Sequence, residues 1–336
     1  MDTTRRGALG LVGAAAAAGA VASAGAAIAQ ERRIGSAKKT LFWTAAVTPC
    51  DRNGKFDPGA YRDILAWLKH NGSDGVVVLG TTGEFPSFSV AERKLIAETA
   101  LADKMGMNII IGPGTANFPE TLELSRHAQD HGADGLLVIP PFYYDFPPTD
   151  GLVRYYSNLF EQVSIPINLY HIPGTSEVPI SLDLLQALHH YPHLAGIKDS
   201  TGDLDGTNGP HAVGYKNFVA KFPDLNMRSG TGECLPYALD HGMGAILAEG
   251  NVFTRQCASV FKAYREGGDY HAAHARMNAA MAVMKKGGVW GYGPMKYALA
   301  REMGAPPSYQ RAPFVDVTDE QKLAINSALD EIRTMA

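Results

Sequence analysis

Leu41-Phe-Trp-Thr-Ala-Ala-Val-Thr-Pro-Cys50 is an apolar run of strand length that stops at a threonine and a proline. Its apolar residues are continuous, not alternating, which is the pattern of a parallel strand covered on both faces. The residues at its end decide between two folds. An open, doubly wound sheet that binds dinucleotides places a glycine-rich turn after its first strand. Thr48-Pro49-Cys50 is nothing like one. Similar runs start near Val76 (VVVLG), Asn108 (NIIIG), Gly135 (GLLVIP), Ile165 (IPINLY), Leu194 (LAGIK), Leu225 (LNMRSG) and Gly244 (GAILAEG), mostly 27–35 residues apart. That interval is one strand plus one helix, and eight such units close into a (β/α)8 TIM barrel of α/β class.

The segments between the runs carry helix-start chemistry. Asp57-Pro58 supplies an N-cap and a proline at the first helical position, Ser89 to Glu92 is a capping box, and Ser181 opens another helix. After the eighth run, helical patterns near 254–267, 270–286, 293–303 and 318–335 exceed what closing a barrel requires. Residues 30–265 are therefore expected to form the barrel and 266–336 a C-terminal helical extension.

The first 29 residues read differently. Arg5 and Arg6 precede a weakly apolar stretch from Ala8 to Ala22, and the segment closes at Ala27-Ile28-Ala29. This is the layout of a twin-arginine (Tat) signal peptide cleaved near Gln30, and it predicts a periplasmic protein with no membrane association after cleavage. The remaining chain would hold 28 basic and 33 acidic residues, a net charge of −5. It lacks a Lys/Arg-rich run, so nucleic acid is not an expected partner. Three cysteines, Cys50, Cys234 and Cys257, make no disulfide framework.

In such a barrel, chemistry belongs to the loops at the C-terminal ends of the strands. Those positions hold Gly80, Thr81 and Thr82 after strand 2, Phe142, Tyr143 and Tyr144 after strand 4, and Tyr170 after strand 5. Lys198 follows strand 6, Gly230-Thr-Gly-Glu233 strand 7 and Glu249 strand 8, with Ile246 on the substrate wall. A lone lysine at a strand end is usually a solvated loop residue, and a lone tyrosine a packed aromatic. Their joint arrival on one face is what carries meaning. Desolvation favours the free amine of a lysine, which then attacks a ketone to give an iminium, an electron sink for the neighbouring bond. A phenol beside it moves the proton, and threonines flanked by glycine hold a carboxylate. His189, His190 and His193 fall at the opposite end of the barrel and read as solvated helix-end residues, so no metal is expected.

GTTGEF (80–85), PFYYDF (141–146), YHIPGTS (170–176), GIKDSTGDL (196–204) and PMKYALA (294–300) resemble the dihydrodipicolinate synthase / N-acetylneuraminate lyase superfamily of class I aldolases. The resemblance implies Lys198 as the Schiff-base lysine, Tyr170 as proton shuttle, and Thr81 and Thr82 as ligands of a pyruvyl carboxylate. It also implies that Tyr143 reaches a neighbouring subunit's site, in a homotetramer or dimer. No cofactor beyond the covalent lysine imine is implied.

The same resemblance bears on the second substrate. Lysine-pathway synthases carry an arginine where this chain has Thr175, which disfavours that reaction. PFYY and YHIP look more like the sialate lyase branch, but Gly232 stands at that branch's aspartate and Ala248 at its serine, and only Glu233 is kept. A shorter or less polar 2-oxo acid, such as pyruvate joined to an aldehyde, is the expected substrate. Two alternatives accompany this lyase: a dehydratase or hydratase-aldolase using the same lysine, and a non-catalytic barrel that binds oxo acids.

Overall fold

Eight short parallel strands close into one barrel in the computed structural model, which describes residues 40–209, 212–286 and 290–335. The strands are β1 (Phe42–Ala45), β2 (Gly75–Val78), β3 (Asn108–Ile111), β4 (Gly135–Val138), β5 (Ile167–His171), β6 (Leu194–Asp199), β7 (Asn226–Ser229) and β8 (Ala245–Leu247). They pair in chain order, and β8 returns to β1 with Trp43 opposite Ile246. Nearly every strand residue is buried, as continuous apolar runs demand. The leader expected at 1–29 lies outside the described residues.

The helices that wrap the barrel are α1 (Pro58–His70), α2 (Val90–Leu101), α3 (Phe118–Asp130) and α4 (Thr149–Phe160). A helical turn α5 (Pro173–Ser176) comes next, then α6 (Leu182–Leu188), α7 (Tyr215–Lys221), α8 (Leu235–Asp240) and α9 (Thr254–Arg265). Helix α1 starts where Asp57 accepts bonds from the N–H groups of Gly59 and Ala60 at 2.9 and 3.0 Å. It buries Tyr61, Ile64, Leu65 and Leu68, the i, i+3, i+4, i+7 stripe of an amphipathic helix. Helix α2 opens on the reciprocal Ser89/Glu92 capping box. Among the described residues, no helix is long and apolar enough to cross a membrane.

Three more helices, α10 (Tyr270–Lys286), α11 (Tyr292–Met303) and α12 (Asp319–Thr334), come after the barrel and bind tightly to it. The Nζ of Lys296 on α11 lies 2.5 Å from the carboxylate of Glu84, and both side chains are inaccessible to water. The same Nζ donates to the Tyr309 carbonyl at 3.0 Å. This pair locks the loop after β2 onto α11.

The barrel interior holds an unexpected cation. Arg228 on β7 is buried, with its guanidinium 3.6 Å from the centre of the Trp43 ring. Burial pulls its pKa down to about 9, so it remains charged at neutral pH. All three cysteines are free and buried, and burial pushes the Cys50 and Cys234 thiols up to about 11, which makes them structural and unreactive.

Removing one member of a buried ion pair leaves the other charge uncompensated, at a cost of about 3–5 kcal/mol. Lys296→Met is therefore expected to lower the urea midpoint by that equivalent. The double variant Glu84→Gln/Lys296→Met should recover most of the loss. A midpoint unchanged in the single variant would show that the pair does not hold the loop.

Candidate active site

The site begins with strand register. Tyr170 on β5 stands directly opposite Lys198 on β6, after an irregularity between Ile167 and Asn168 shifts the pairing by one residue. In a parallel sheet laterally paired residues point to the same face, so both side chains converge. Lys198 Nζ donates to the Tyr170 hydroxyl at 3.3 Å and lies 4.5 Å from the centre of its ring. Lys198 and Tyr170 are 5% and 4% exposed, which rejects the solvated-loop reading of the lysine.

The hydroxyl of Thr81 meets that of Tyr170 at 3.2 Å and extends the contact to the loop after β2. Burial alone would raise the pKa of the phenol. The charge of Lys198, with hydrogen bonds from Thr81, Lys198 and Ser200, outweighs it and holds the pKa below the ordinary tyrosine value. A phenol tuned this way, in contact with an amine, can pass a proton in either direction.

The loop carrying Thr81 is shaped by its own backbone. Residues Thr81–Gly83 form a 3-10 turn after Gly80, and Glu84 adopts a left-handed conformation at its end. Thr48 Oγ donates to the Gly83 carbonyl at 2.9 Å, so the threonine that ends the first apolar run fixes this turn. Thr82 is buried beside Thr81. Asn251 ties the loop after β8 to β1, accepting from the Val47 N–H at 3.1 Å and donating to the Ala45 carbonyl at 2.8 Å.

That loop carries Glu249, which is 6% exposed. Burial is the main cause that raises its pKa, with a further push from Glu233. Its own backbone hydrogen bond and the charges of Lys198 and Lys285 work against the rise. Glu249 thus lies within electrostatic reach of both lysines. A Cβ at Gly232 would lie 3.4 Å from Glu249 Oε1 and 3.4 Å from Asn278 Oδ1, so a side chain there would crowd both oxygens. A recess of about 150 Å³ opens there between Glu233, Asn278, Met281 and Lys285. Lys285 faces Glu233 across it at 3.9 Å.

The remaining expected residues are distributed less uniformly. Ile246 is fully buried within the barrel wall. Gly230 serves close packing, because a Cβ there would collide with Ser200 and the Asp199 carbonyl. Thr175 sits exposed on α5. Tyr143 is 85% exposed with φ at 105°, its ring edge-on to Tyr144, so within one chain it does not join the buried cluster.

Two residues outside the expected set adjoin the cluster. Ser200 bonds the Tyr170 hydroxyl from the KDSTG loop, two residues beyond the lysine. Tyr292, at the start of α11, is raised by burial first and then by the charges of Tyr170 and Glu84. Ser200 carries a sequence signal, as the small polar residue after a strand-end lysine. Tyr292 carries none, because only folding brings α11 over the barrel mouth.

Among known proteins, the profile of the Dihydrodipicolinate synthetase family matches residues 39–332. An uncharacterized DapA-like lyase of Chloroflexus aurantiacus is 34% identical over 310 residues, covering 91% of this chain and 98% of the relative. A 4-hydroxy-tetrahydrodipicolinate synthase of Bradyrhizobium diazoefficiens is 31% identical over 300 residues, covering 87% and 97%. Among solved structures, YagE, a prophage protein of E. coli K12 in complex with pyruvate, superposes with a TM-score of 0.79 at 25% identity, covering 88% of this chain and 98% of that one. The synthase of Acinetobacter baumannii complexed with pyruvate gives 0.77 at 25% identity, covering 88% and 99%.

The strand end that presents Tyr170 is anchored by a neutral histidine. His171 is buried, its Nδ1 accepts the Ile180 N–H at 2.9 Å, and burial lowers its pKa to about 4. The unfolded chain protonates this ring near its ordinary value of 6.5, before the native state does. The stabilising contribution is thus complete above pH 6.5, shrinks as pH falls, and is gone below pH 4. A shift of this size corresponds to about 3 kcal/mol. His171→Asn keeps an acceptor near Nδ1 without titrating. Its stability, tracked by urea unfolding from pH 7 to 4, is expected to fall less steeply than that of the native chain. Parallel curves would contradict this assignment.

Proposed function

The chain belongs to the dihydrodipicolinate synthetase family, and from that premise we propose that it is a lyase holding a 2-oxo acid as an iminium on Lys198. The observation that carries the reading is the buried 3.3 Å contact between the Lys198 amine and the Tyr170 hydroxyl. The neutral amine adds to the ketone, and the carbinolamine loses water to leave the iminium. In the cleavage direction the C–C bond beta to the former carbonyl breaks, and its electrons flow into the iminium to give an enamine. The departing carbon's hydroxyl loses its proton as it becomes an aldehyde. The enamine carbon then takes a proton, and water releases pyruvate from the lysine. Tyr170 handles the proton transfers, and Thr81 and Thr82 hold the carboxylate. Condensation is the same sequence reversed.

The aldehyde half extends towards the recess at Gly232. Glu233, Asn278 and Lys285 line that recess and Glu249 Oε1 lies beside Gly232, so hydroxyl groups on that half would find partners there. This polar lining supports a deoxy-oxo sugar acid over an apolar partner. The pyruvate in two of the structural relatives supports the pyruvyl half. The reading includes export through the Arg5-Arg6 leader and assembly as a homotetramer or dimer, the latter supported by the exposed Tyr143 and Tyr144.

Mixing the chain with pyruvate and borohydride is expected to leave a reduced adduct on Lys198, located by peptide mass spectrometry. An unmodified Lys198 would remove the proposal. Tyr170→Phe should retain the fold but lose about 10²-fold in turnover. Adduct formation with no pyruvate released from any deoxy-oxo sugar acid would instead favour an oxo-acid-binding barrel.

A further inference from the structure

A second cluster of ligating side chains lies on the outer face of the barrel, away from Lys198. His127 and His131 occupy positions i and i+4 of α3 and its cap, so their rings project from one face, with centroids 4.1 Å apart. Glu98 on the neighbouring α2 meets them. Its Oε1 lies 2.8 Å from His127 Nε2 and 3.9 Å from His131 Nε2. One donor atom from each of the three residues lies within 4.8 Å of the others.

Three features separate this cluster from an ordinary surface ion pair. First, His131 Nδ1 sits 2.8 Å from the His127 carbonyl. A carbonyl only accepts, so Nδ1 donates and Nε2 is the ring nitrogen left towards Glu98, the backbone-oriented arrangement found around metal-bound histidines. Second, the lysine one turn away from Glu98 is already engaged. Lys94, one turn before Glu98, bonds Glu123, one turn before His127, at 2.6 Å, leaving Glu98 to the histidines. Third, His127 is largely sheltered, with 13% of its side chain exposed, whereas Glu98 and His131 are open enough for an ion to enter.

We propose that Glu98, His127 and His131 form a zinc site that clasps α2 to α3. Two imidazoles and a carboxylate suit Zn²⁺, with bonds of about 2.0–2.2 Å and donors roughly 3.3 Å apart in a tetrahedron. The two Glu98–histidine separations of 2.8 and 3.9 Å bracket that figure and all three donors lie within 4.8 Å of one another, so side-chain rotations can close the site. The fourth position faces solvent and takes water. Binding displaces the proton that His127 Nε2 shares with Glu98, so affinity should weaken in acid.

Titration of the full chain with zinc chloride by calorimetry at neutral pH is expected to show one equivalent bound. His127→Ala and the more exposed His131→Ala should each weaken that binding at least about tenfold. Circular dichroism would verify that both variants fold. Cobalt substituted for zinc should give the visible absorption of a four-coordinate ion, lost in both variants. A chain that binds no zinc, or binds it equally well in both variants, would overturn the proposal.

Discussion

The chemistry at the barrel mouth depends on how closely β6 lies between β5 and β7. Gly196 makes that approach feasible, because a Cβ there would collide with the Asn226 carbonyl of β7. Its partner across β5 is Asn168, the first residue after the shift in pairing. Two residues further along the same face, Tyr170 and Lys198 come opposite one another. Had the pairing kept the register it has at Ile167, the phenol would have faced the other side of the sheet, because a slip of one residue reverses every side chain. A glycine and a strand irregularity at the barrel's middle thus set a hydrogen bond at its top.

The C-terminal helices participate in the same construction. Lys296 neutralises Glu84 with both side chains excluded from water, and Tyr292 from the same helix lies within electrostatic reach of Tyr170. Further ties run from the first strand's end to the segment after α11, where the Tyr309 N–H donates to the Cys50 carbonyl at 3.0 Å. The loop that carries Thr81 and Thr82 is therefore held from both sides, by Thr48 and by α11. Such support from two sides restrains a short polar turn. The extension past residue 265 is, in physical terms, part of the wall of the candidate site.

Much of this was legible in the sequence, for identifiable reasons. Each continuous apolar run coincides with a strand, because a parallel strand buried on both faces leaves no room for polar alternation. Asp57, Ser89 and Ser181 start helices as their side-chain oxygens require. Lys198, Tyr170 and Thr81 converge because strand ends converge in a closed barrel. What escaped was set by contacts between distant segments. Arg228 looks like a polar interruption of LNMRSG until Trp43, far away in the chain, supplies its stacking surface. His127 and His131 share a face that the spacing of four could have exposed, but Glu98 joins them only when α2 and α3 pack together. HHYPH is the denser histidine cluster in the sequence, yet there His189 pairs with Asp224 at 3.0 Å.

The substitutions that set this chain apart from the sialate lyase pattern acquire a physical meaning in the fold. Gly232 removes a side chain where two oxygens, from Glu249 and Asn278, would otherwise be covered. Glu249 is buried, and burial is the main cause that raises its pKa. Glu249 beside Gly232 and the Asn278 amide on α10 place polar atoms around that recess. Desolvating such groups without a partner costs free energy, so the recess is poorly suited to apolar surface. The glycine leaves space in the recess that a side chain would fill. With no side chain at 232, the polar groups around the recess come from Glu233, from Glu249 after β8 and from Asn278 and Lys285 on α10.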